Sequence, residues 1–147
     1  MSREPLQPRT YYRHWHRVQT RWSDNDVYGH VNNTVHYQWF DTVVNSWLID
    51  AGLLGPEAGT IIGLVVETGC RYARSLSYPQ CVDVGMTVHK LGNSSVSFRL
   101  GAFAEGEEAA AAEGMLTHVY VARAKRRPVP LPAHWRLALQ TLQAPSG

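Results

Sequence analysis

The sequence has few cysteines, no long apolar run and little net charge, and each scarcity argues against a class of protein. Two cysteines, Cys70 and Cys81, among 147 residues argue against a disulfide scaffold and fit a reducing, cytoplasmic setting. The longest apolar run, residues 61–66, is far too short to span a bilayer. Residues 1–21 carry arginines and histidines where a secretory signal needs an apolar core. A net charge of +2 is too small to indicate a nucleic-acid partner.

The remaining composition is that of one globular domain. Hydrophobic residues make up 44% of the chain and charged residues 18%, and this length buries a sizeable core without covalent crosslinks. We therefore expect a single domain over residues 1–147 with its core at about 13–124. Residues 1–12 are predicted to be a loose arm, and residues 125–147 a basic, proline-rich tail.

A strand and then a long helix are predicted in the first third of the chain. Apolar and polar residues alternate between Arg13 and Trp22, which predicts a half-buried strand with Trp22 on its apolar face. From Asn33 to about Ala51 large apolar residues recur every four positions, which predicts a helix covered on most sides. Either Asn32 or Asn33 is expected to cap the start of this helix.

The rest of the chain is predicted to be mostly strands. Even-numbered residues of 61–74 are predicted to share one apolar face, and alternation recurs in 82–89 and 96–102. Propensity alone favours a helix over 107–113, but the strongly β-type residues that follow favour the start of a strand. A short helix is predicted around residues 132–142. The element order predicts an α+β fold with one long central helix wrapped by a five-stranded antiparallel sheet. The outer sheet face and edge strands need cover, so at least a dimer is expected.

The segment 21–33 joins the first strand to the start of the long helix and is the most distinctive in the chain. Free backbone N–H groups at a helix start, together with the helix dipole, stabilise an anion or a developing oxyanion. A carboxylate beside them, such as Asp26, has the chemistry of a general base or nucleophile directed at a carbonyl group. The alternative, from spacing alone, is that Asp24 and Asp26 simply cap turns.

Residues 24–33, followed by Tyr37 and Phe40-Asp41, resemble the signature of the hotdog-fold acyl-CoA thioesterases of the 4-hydroxybenzoyl-CoA thioesterase type. Residues 71–76 and 91–95 are similar to further segments of that family, so the resemblance covers about residues 13–124. It implies that Asp26 is the catalytic carboxylate, which attacks the thioester carbonyl or activates a water. It also implies that backbone N–H groups around Gly29, His30 and Val31 polarise the carbonyl oxygen. The His30 side chain is either a second acid–base group or a packing residue.

Further residues are expected to contact the substrate, and coenzyme A needs cations for its phosphates. We expect substrate contacts from Asn33, Tyr37, Glu67, Ser94, Ser95, Arg123, Arg126 and Arg127. Glu67 is alternatively a structural residue, and the basic run, which also contains Lys125, is alternatively a solvated tail. His14 and His16 share a strand face at a spacing that can bind zinc, but no cysteine or carboxylate cluster joins them, so no metal is expected.

The resemblance implies a cytoplasmic homo-oligomeric enzyme, at least a dimer, that hydrolyses acyl-CoA or acyl-carrier-protein thioesters. Coenzyme A would enter as part of the substrate, and no separate cofactor is expected. Neither a nucleic acid nor a membrane is expected as a partner. Two alternatives remain open at this point, namely an enoyl-thioester hydratase or dehydratase of the same fold, and a non-catalytic acyl-thioester binding protein. A hydrolase releases free thiol, a hydratase changes the enoyl absorbance without releasing thiol, and a binding protein does neither.

Overall fold

The computed structural model describes residues 4–54 and 60–145, which form an α+β fold. In chain order the elements are β1 (His14–Gln19), α1 (Asn33–Asp50), β2 (Ile61–Tyr72), β3 (Cys81–Leu91), β4 (Ser95–Ala104), β5 (Ala112–Ala122) and α2 (Ala133–Gln140). The five strands form an antiparallel sheet in the order β1-β3-β4-β5-β2, so β1 and β2 are its edges. The predicted class and the five antiparallel strands are confirmed. Part of the loop expected between α1 and β2 lies outside the described residues.

The core lies between one face of the sheet, called here the inner face, and the two helices. Alternate residues of β3 and β4 point to this face, as predicted, and each is at most 1% exposed: Val82, Val84, Met86, Val88, Val96, Phe98, Leu100 and Ala102. From α1, Phe40 and Leu48 are fully buried against them, and α2 adds Trp135 and Leu139. Phe40 packs so closely on Gly114 of β5 that a Cβ atom there would collide with its ring. This contact fixes the position of α1 on β5.

Strand β2 does not keep the predicted alternation. Its pairing with β5 shifts register between Val65 and Glu67, which places one extra residue in β2. Because side chains alternate between the two faces, the extra residue reverses the parity of the positions that face the core. Odd-numbered Ile61 packs against the core before the shift, and even-numbered Cys70 packs against it after the shift. The prediction of one even-numbered apolar face over 61–74 is wrong for this reason.

Two predicted strand boundaries also differ from the structure. Residues 107–111 form the connection after β4, and β5 begins at Ala112, so the early part of the predicted strand is a loop and not a helix. The N–H group of Ala111 donates to the carbonyl oxygen of Ala102 at 2.7 Å, which brings this loop to the sheet. Strand β1 ends at Gln19, and Trp22, predicted on its apolar face, begins a 3-10 turn and is 76% exposed.

Residues 4–12, the described part of the predicted loose arm, lie along the other face of the sheet, called here the outer face. Tyr12 is buried over Gly85 and Gly101, where any side chain would collide with its ring. Arg9 forms an ion pair with Asp83 at 3.2 Å and packs over aromatic rings of the same face. Asp83, Gly85 and Gly101 lie 70 or more positions away along the chain, so local composition does not reveal these contacts.

The chain beyond β5 returns to the sheet through α2, which confirms the short helix predicted around residues 132–142. The Arg136 guanidinium donates to the carbonyl oxygen of Gly92 at 3.0 Å. The Thr87 hydroxyl and the Val88 N–H both donate to the carbonyl oxygen of Leu142, at 2.6 and 2.7 Å. Among the described residues, neither helix has the length and apolar character needed to cross a membrane.

Stability is expected to fall in acid because of His118, which is buried on the inner side of β5. Its Nδ1 lies 3.0 Å from the Tyr120 hydroxyl, and burial lowers the pKa of His118 below 6.5, opposed by the Asp41 carboxylate. The unfolded chain keeps the ordinary pKa, so below about pH 6.5 it binds a proton that the folded chain excludes. Above pH 6.5 His118 is neutral in both states and does not lower the free energy of unfolding. As the pH falls below 6.5, the free energy of unfolding decreases by up to about 1.4 kcal/mol per pH unit.

The His118→Gln variant is therefore expected to have a shallower decline of unfolding free energy between pH 7 and pH 5 than the wild type. Urea unfolding at several pH values measures this slope, and the comparison uses slopes because the substitution also changes stability at neutral pH. His134→Gln, an exposed change on α2, is the control and should keep the wild-type slope. Equal slopes for all three proteins would contradict the assignment.

Candidate functional site

The loop between β1 and α1 is built around Asp24, which is 1% exposed. Its carboxylate accepts hydrogen bonds from the Arg21 backbone N–H at 2.7 Å and from the Arg21 guanidinium at 2.8 and 3.1 Å. Its carbonyl oxygen accepts from the Asn32 N–H at 2.8 Å. Asp24 therefore holds the two ends of the loop together, which agrees with the alternative that this aspartate caps a turn.

Asp26 has a different environment, because it is only half-buried. The Asp26 N–H donates to the His30 carbonyl at 2.8 Å, and the Gly29 N–H donates to the Asp26 carbonyl at 3.1 Å. Gly29 has a φ of +81°, which L side chains rarely adopt, so glycine suits this tight turn. One side-chain oxygen, Oδ1, accepts from the Tyr28 N–H at 2.8 Å. Within residues 4–54 and 60–145, the other oxygen, Oδ2, has no hydrogen-bond donor and is available to a ligand.

The start of α1 lies next to this turn and is capped by Asn32, one of the two predicted caps. The Asn32 side-chain oxygen accepts from the Thr34 N–H at 2.9 Å, and its carbonyl oxygen accepts from the Val35 N–H at 2.9 Å. A helix start leaves its first N–H groups without intrahelical acceptors. Asn32 accepts the N–H groups of Thr34 and Val35. The Asn33 N–H, also in the first turn, has no acceptor within the described chain.

The three N–H groups predicted to polarise a carbonyl are not equivalent. The Gly29 N–H closes the turn on Asp26, and the Val31 N–H donates to the Leu76 carbonyl at 2.7 Å, so both already have acceptors. The His30 N–H has none among the described residues. The available donors are therefore those of His30 and Asn33, beside the positive end of the α1 dipole.

Three rings, those of His36, Tyr37 and Tyr72, lie together at the start of α1 and are called here the aromatic wall. Sequence reasoning missed two of them, His36 and Tyr72. The His36 ring is 3% exposed and packs edge to face on Tyr72, with ring centroids 5.0 Å apart. The Tyr72 hydroxyl donates to the Asn33 carbonyl at 3.0 Å, which ties the end of β2 to the helix start. Burial raises the pKa of Tyr72, and nearby Cys70 and Tyr37 raise it further. Tyr37, predicted to contact substrate, thus lies in this wall.

His36 is also electrostatically unusual, because neither of its ring nitrogens has a hydrogen-bond partner in the described part of the chain. Burial lowers its pKa, and the carbonyl groups of Asn33 and Asn32 act in the opposite direction. It is therefore expected to be neutral at pH 7. The signal that could have found His36 is its place in the apolar stripe of α1, where a polar side chain needs a reason to be buried.

The remaining predicted contact residues lie at the opposite end of the sheet. Ser94 lies in the turn between β3 and β4, and Ser95 begins β4. The Ser94 carbonyl accepts from the Tyr120 N–H near the end of β5. The basic run follows β5, where the Arg123 N–H donates at 2.6 Å to the Thr60 carbonyl just before β2. The helix start lies at the other end of β2, which is on the order of 35 Å away for a strand of this length. One chain does not bring the two groups together.

Glu67 lies in the middle of β2 between these two groups. It pairs with Thr117 of β5, is exposed and belongs to the outer face, away from α1. Among the described residues, no three His, Cys, Asp or Glu side chains gather where they could hold a metal ion. No residue set is therefore assigned to a metal.

The chain matches known proteins over most of its length. The family model described as the thioesterase-like superfamily matches residues 20–139. The crystal structure of the PA5185 protein from Pseudomonas aeruginosa strain PAO1 is similar, with 45% sequence identity and a TM-score of 0.91. The match covers 95% of this chain and 98% of that one. A second structure, the PA2801 protein of Pseudomonas aeruginosa, described as a thioesterase candidate, is 27% identical with a TM-score of 0.80 and coverage of 86% and 98%.

A curated protein is also similar, at lower identity. It is the uncharacterized protein YsmA of Bacillus subtilis (strain 168), which is 25% identical over 100 residues, or 67% of each chain. The range matched by the family model, residues 20–139, includes the β1–α1 loop and α1, where the candidate site lies.

Proposed function

The chain belongs to the thioesterase-like superfamily, and from that premise we propose that it hydrolyses an acyl-CoA or acyl-carrier-protein thioester to a carboxylic acid and a free thiol. The observation that carries the proposal is the pairing of Asp26, whose Oδ2 is available, with the open N–H groups of His30 and Asn33. A nucleophile or base beside donors for an oxyanion is the arrangement that acyl transfer requires. We further propose the hotdog arrangement, in which the sheet wraps α1.

In the proposed reaction, Asp26 attacks the thioester carbonyl carbon or takes a proton from the water that attacks it. The carbonyl oxygen gains negative charge, which the N–H groups of His30 and Asn33 stabilise, each worth about 10²–10³ in rate. The C–S bond then breaks and the thiolate leaves, taking up a proton. If water attacked, the carboxylic acid forms directly; if Asp26 attacked, a water then hydrolyses the mixed anhydride, which releases the acid and restores the Asp26 carboxylate. Gly29 and Val31 support the loop in this scheme, because their N–H groups are engaged within the chain. The His30 side chain is exposed and could exchange protons with the leaving thiol.

A second copy of the chain would complete the site. Strand β2 is an edge of the sheet, and its central residues Leu64, Val65 and Val66 are apolar and 37%, 50% and 59% exposed. An exposed apolar edge strand favours pairing with another strand. We propose that two copies pair antiparallel through β2, which places the start of one β2 beside the end of the other.

Such pairing would bring the basic run of the partner near the helix start of this chain. The partner's Arg123, Arg126 and Arg127 would then supply cations for the phosphates of coenzyme A, with hydroxyls from its Ser94 and Ser95. Glu67 would lie near the two-fold axis, at the centre of the paired strands. This accounts for candidate residues that a single chain keeps about 35 Å apart. In this proposal coenzyme A enters as part of the substrate, no further cofactor takes part, and the cytoplasm, favoured by the cysteine content, is the compartment.

The proposal is tested by measuring thiol release from a panel of acyl-CoAs with short, long and aromatic acyl groups. We expect hydrolysis of at least one acyl class, with the free thiol and the acid formed in equal amounts. An enoyl-CoA whose absorbance falls without thiol release would favour the hydratase alternative. A folded protein that binds acyl-CoA and turns over no CoA or carrier-protein thioester would contradict hydrolysis and favour the binding alternative.

A further inference from the structure

A cavity of about 230 Å³ opens on the outer face of the sheet, beside β2 and away from α1. It is lined by Gly69, Cys70, Arg71, Arg99, Glu113, Gly114 and Met115. Gly69 pairs with Met115 of β5 and has no side chain, whereas Glu67 and Arg71, two positions away on the same face, carry long ones. The missing side chain leaves the space between Met115 and the two arginines.

The polar groups of the cavity are two arginines and one buried carboxylate. Glu113 is 5% exposed; its Oε1 accepts from the Arg99 guanidinium at 3.3 Å and its Oε2 from the Arg71 guanidinium at 3.2 Å. The Gln7 N–H also donates to Oε2, at 3.3 Å. Two guanidinium groups and one carboxylate leave one positive charge uncompensated within the cluster. The single Glu113 carboxylate is shared between Arg71 and Arg99, and its one negative charge balances only one of them.

Arg99 keeps donors that the described chain does not use. One of its terminal nitrogens donates to Glu113, and its other N–H groups have no acceptor within residues 4–54 and 60–145. Arg71 uses a second nitrogen on the Glu4 carbonyl at 2.9 Å. A guanidinium offers its donors in a planar fork that matches a carboxylate with two parallel hydrogen bonds. The remaining lining residues are Met115, Cys70 and two glycines, which favours an apolar group beside the charge.

We propose that this cavity binds a small monocarboxylate that carries a short aliphatic or aromatic group. One negative charge on the ligand matches the one uncompensated positive charge, and Arg99 would hold the carboxylate. The apolar group would lie over Gly69 against Met115. The volume of about 230 Å³ is smaller than that of drug-sized sites, which favours a small ligand. The site is separate from the Asp26 site, because it lies on the outer face, and its occupation does not depend on hydrolysis.

The test is isothermal titration of the full chain with sodium benzoate and sodium butyrate at constant ionic strength. We expect saturable binding of one benzoate per chain and at least tenfold weaker binding of benzyl alcohol and inorganic phosphate. Arg99→Met keeps the side-chain length without the fork, and should weaken benzoate binding about tenfold or more. Gly69→Val fills the cavity without changing its charge, since a Cβ at this position would lie 3.6 Å from Met115 Cγ, an ordinary contact. It should weaken binding to a similar extent.

Arg17→Met is the matched control, because Arg17 is an exposed arginine of β1 that pairs with Asp83 and does not line the cavity. It should leave benzoate binding unchanged. Melting temperature and far-UV circular dichroism check each variant, and Arg99→Lys, which keeps the charge and loses the fork, replaces Arg99→Met if that variant does not fold. The proposal is overturned if no saturable binding occurs, if benzyl alcohol binds as well as benzoate, or if folded Arg99 and Gly69 variants bind like the wild type.

Discussion

Replacing Asp26 by asparagine is expected to lower thioester hydrolysis by about 10²-fold or more while the fold is retained. The amide oxygen of asparagine can still accept the hydrogen bond that Oδ1 takes from the Tyr28 N–H, so the turn is preserved. What disappears is the negative charge that attacks the thioester or deprotonates the water. Thiol release from the best acyl-CoA, with far-UV circular dichroism of both proteins, measures the effect.

Asp24→Asn is the matched control, since it makes the same chemical change two residues away. Asp24 is buried and accepts three hydrogen bonds from Arg21, so this variant is expected to lose about 1–3 kcal/mol of unfolding free energy. Its activity per folded molecule should remain closer to that of the wild type than the activity of Asp26→Asn. Full hydrolysis by a folded Asp26→Asn protein would remove Asp26 from the catalytic role.

The Val66→Glu variant is expected to be monomeric and to lose at least about tenfold of the hydrolytic activity. Val66 is 59% exposed near the midpoint of β2, next to Glu67. If two β2 strands pair antiparallel about their midpoint, the substitution places four carboxylates near the two-fold axis, and like charges on facing strands repel. Activity should fall with the dimer, because the partner's basic run would no longer lie beside Asp26.

Light scattering coupled to size-exclusion chromatography measures the mass of each species, and thiol release measures activity. Leu137→Glu, an equally apolar-to-acidic change at a 66% exposed position of α2, should remain a dimer with wild-type activity. A monomeric wild type, or a Val66→Glu protein that stays dimeric, would contradict pairing through β2. A monomeric variant with full activity would show that hydrolysis does not require the dimer. The basic run would then be interpreted as a solvated tail that does not bind the substrate.

The sequence by itself determined the elements whose pattern is local. The alternation of β3 and β4 and the four-residue spacing along α1 follow from which face of each element must be buried. The sequence also placed the helix cap at Asn32 or Asn33, and the structure shows that it is Asn32. The Asp26 segment was also recognisable, since chemistry-bearing residues lie close together in the chain between a strand and a helix start. These features need no knowledge of distant contacts.

Only the tertiary structure decided the features that depend on pairing between distant residues. The register shift in β2 follows from its contact with β5, and it reversed a face that sequence periodicity predicted. Which N–H groups remain open beside Asp26 depends on acceptors such as Leu76, more than 40 residues away. The Arg71–Glu113–Arg99 cluster likewise joins three strands. Local patterns show which side of an element is apolar, whereas only the paired sheet shows which groups meet across it.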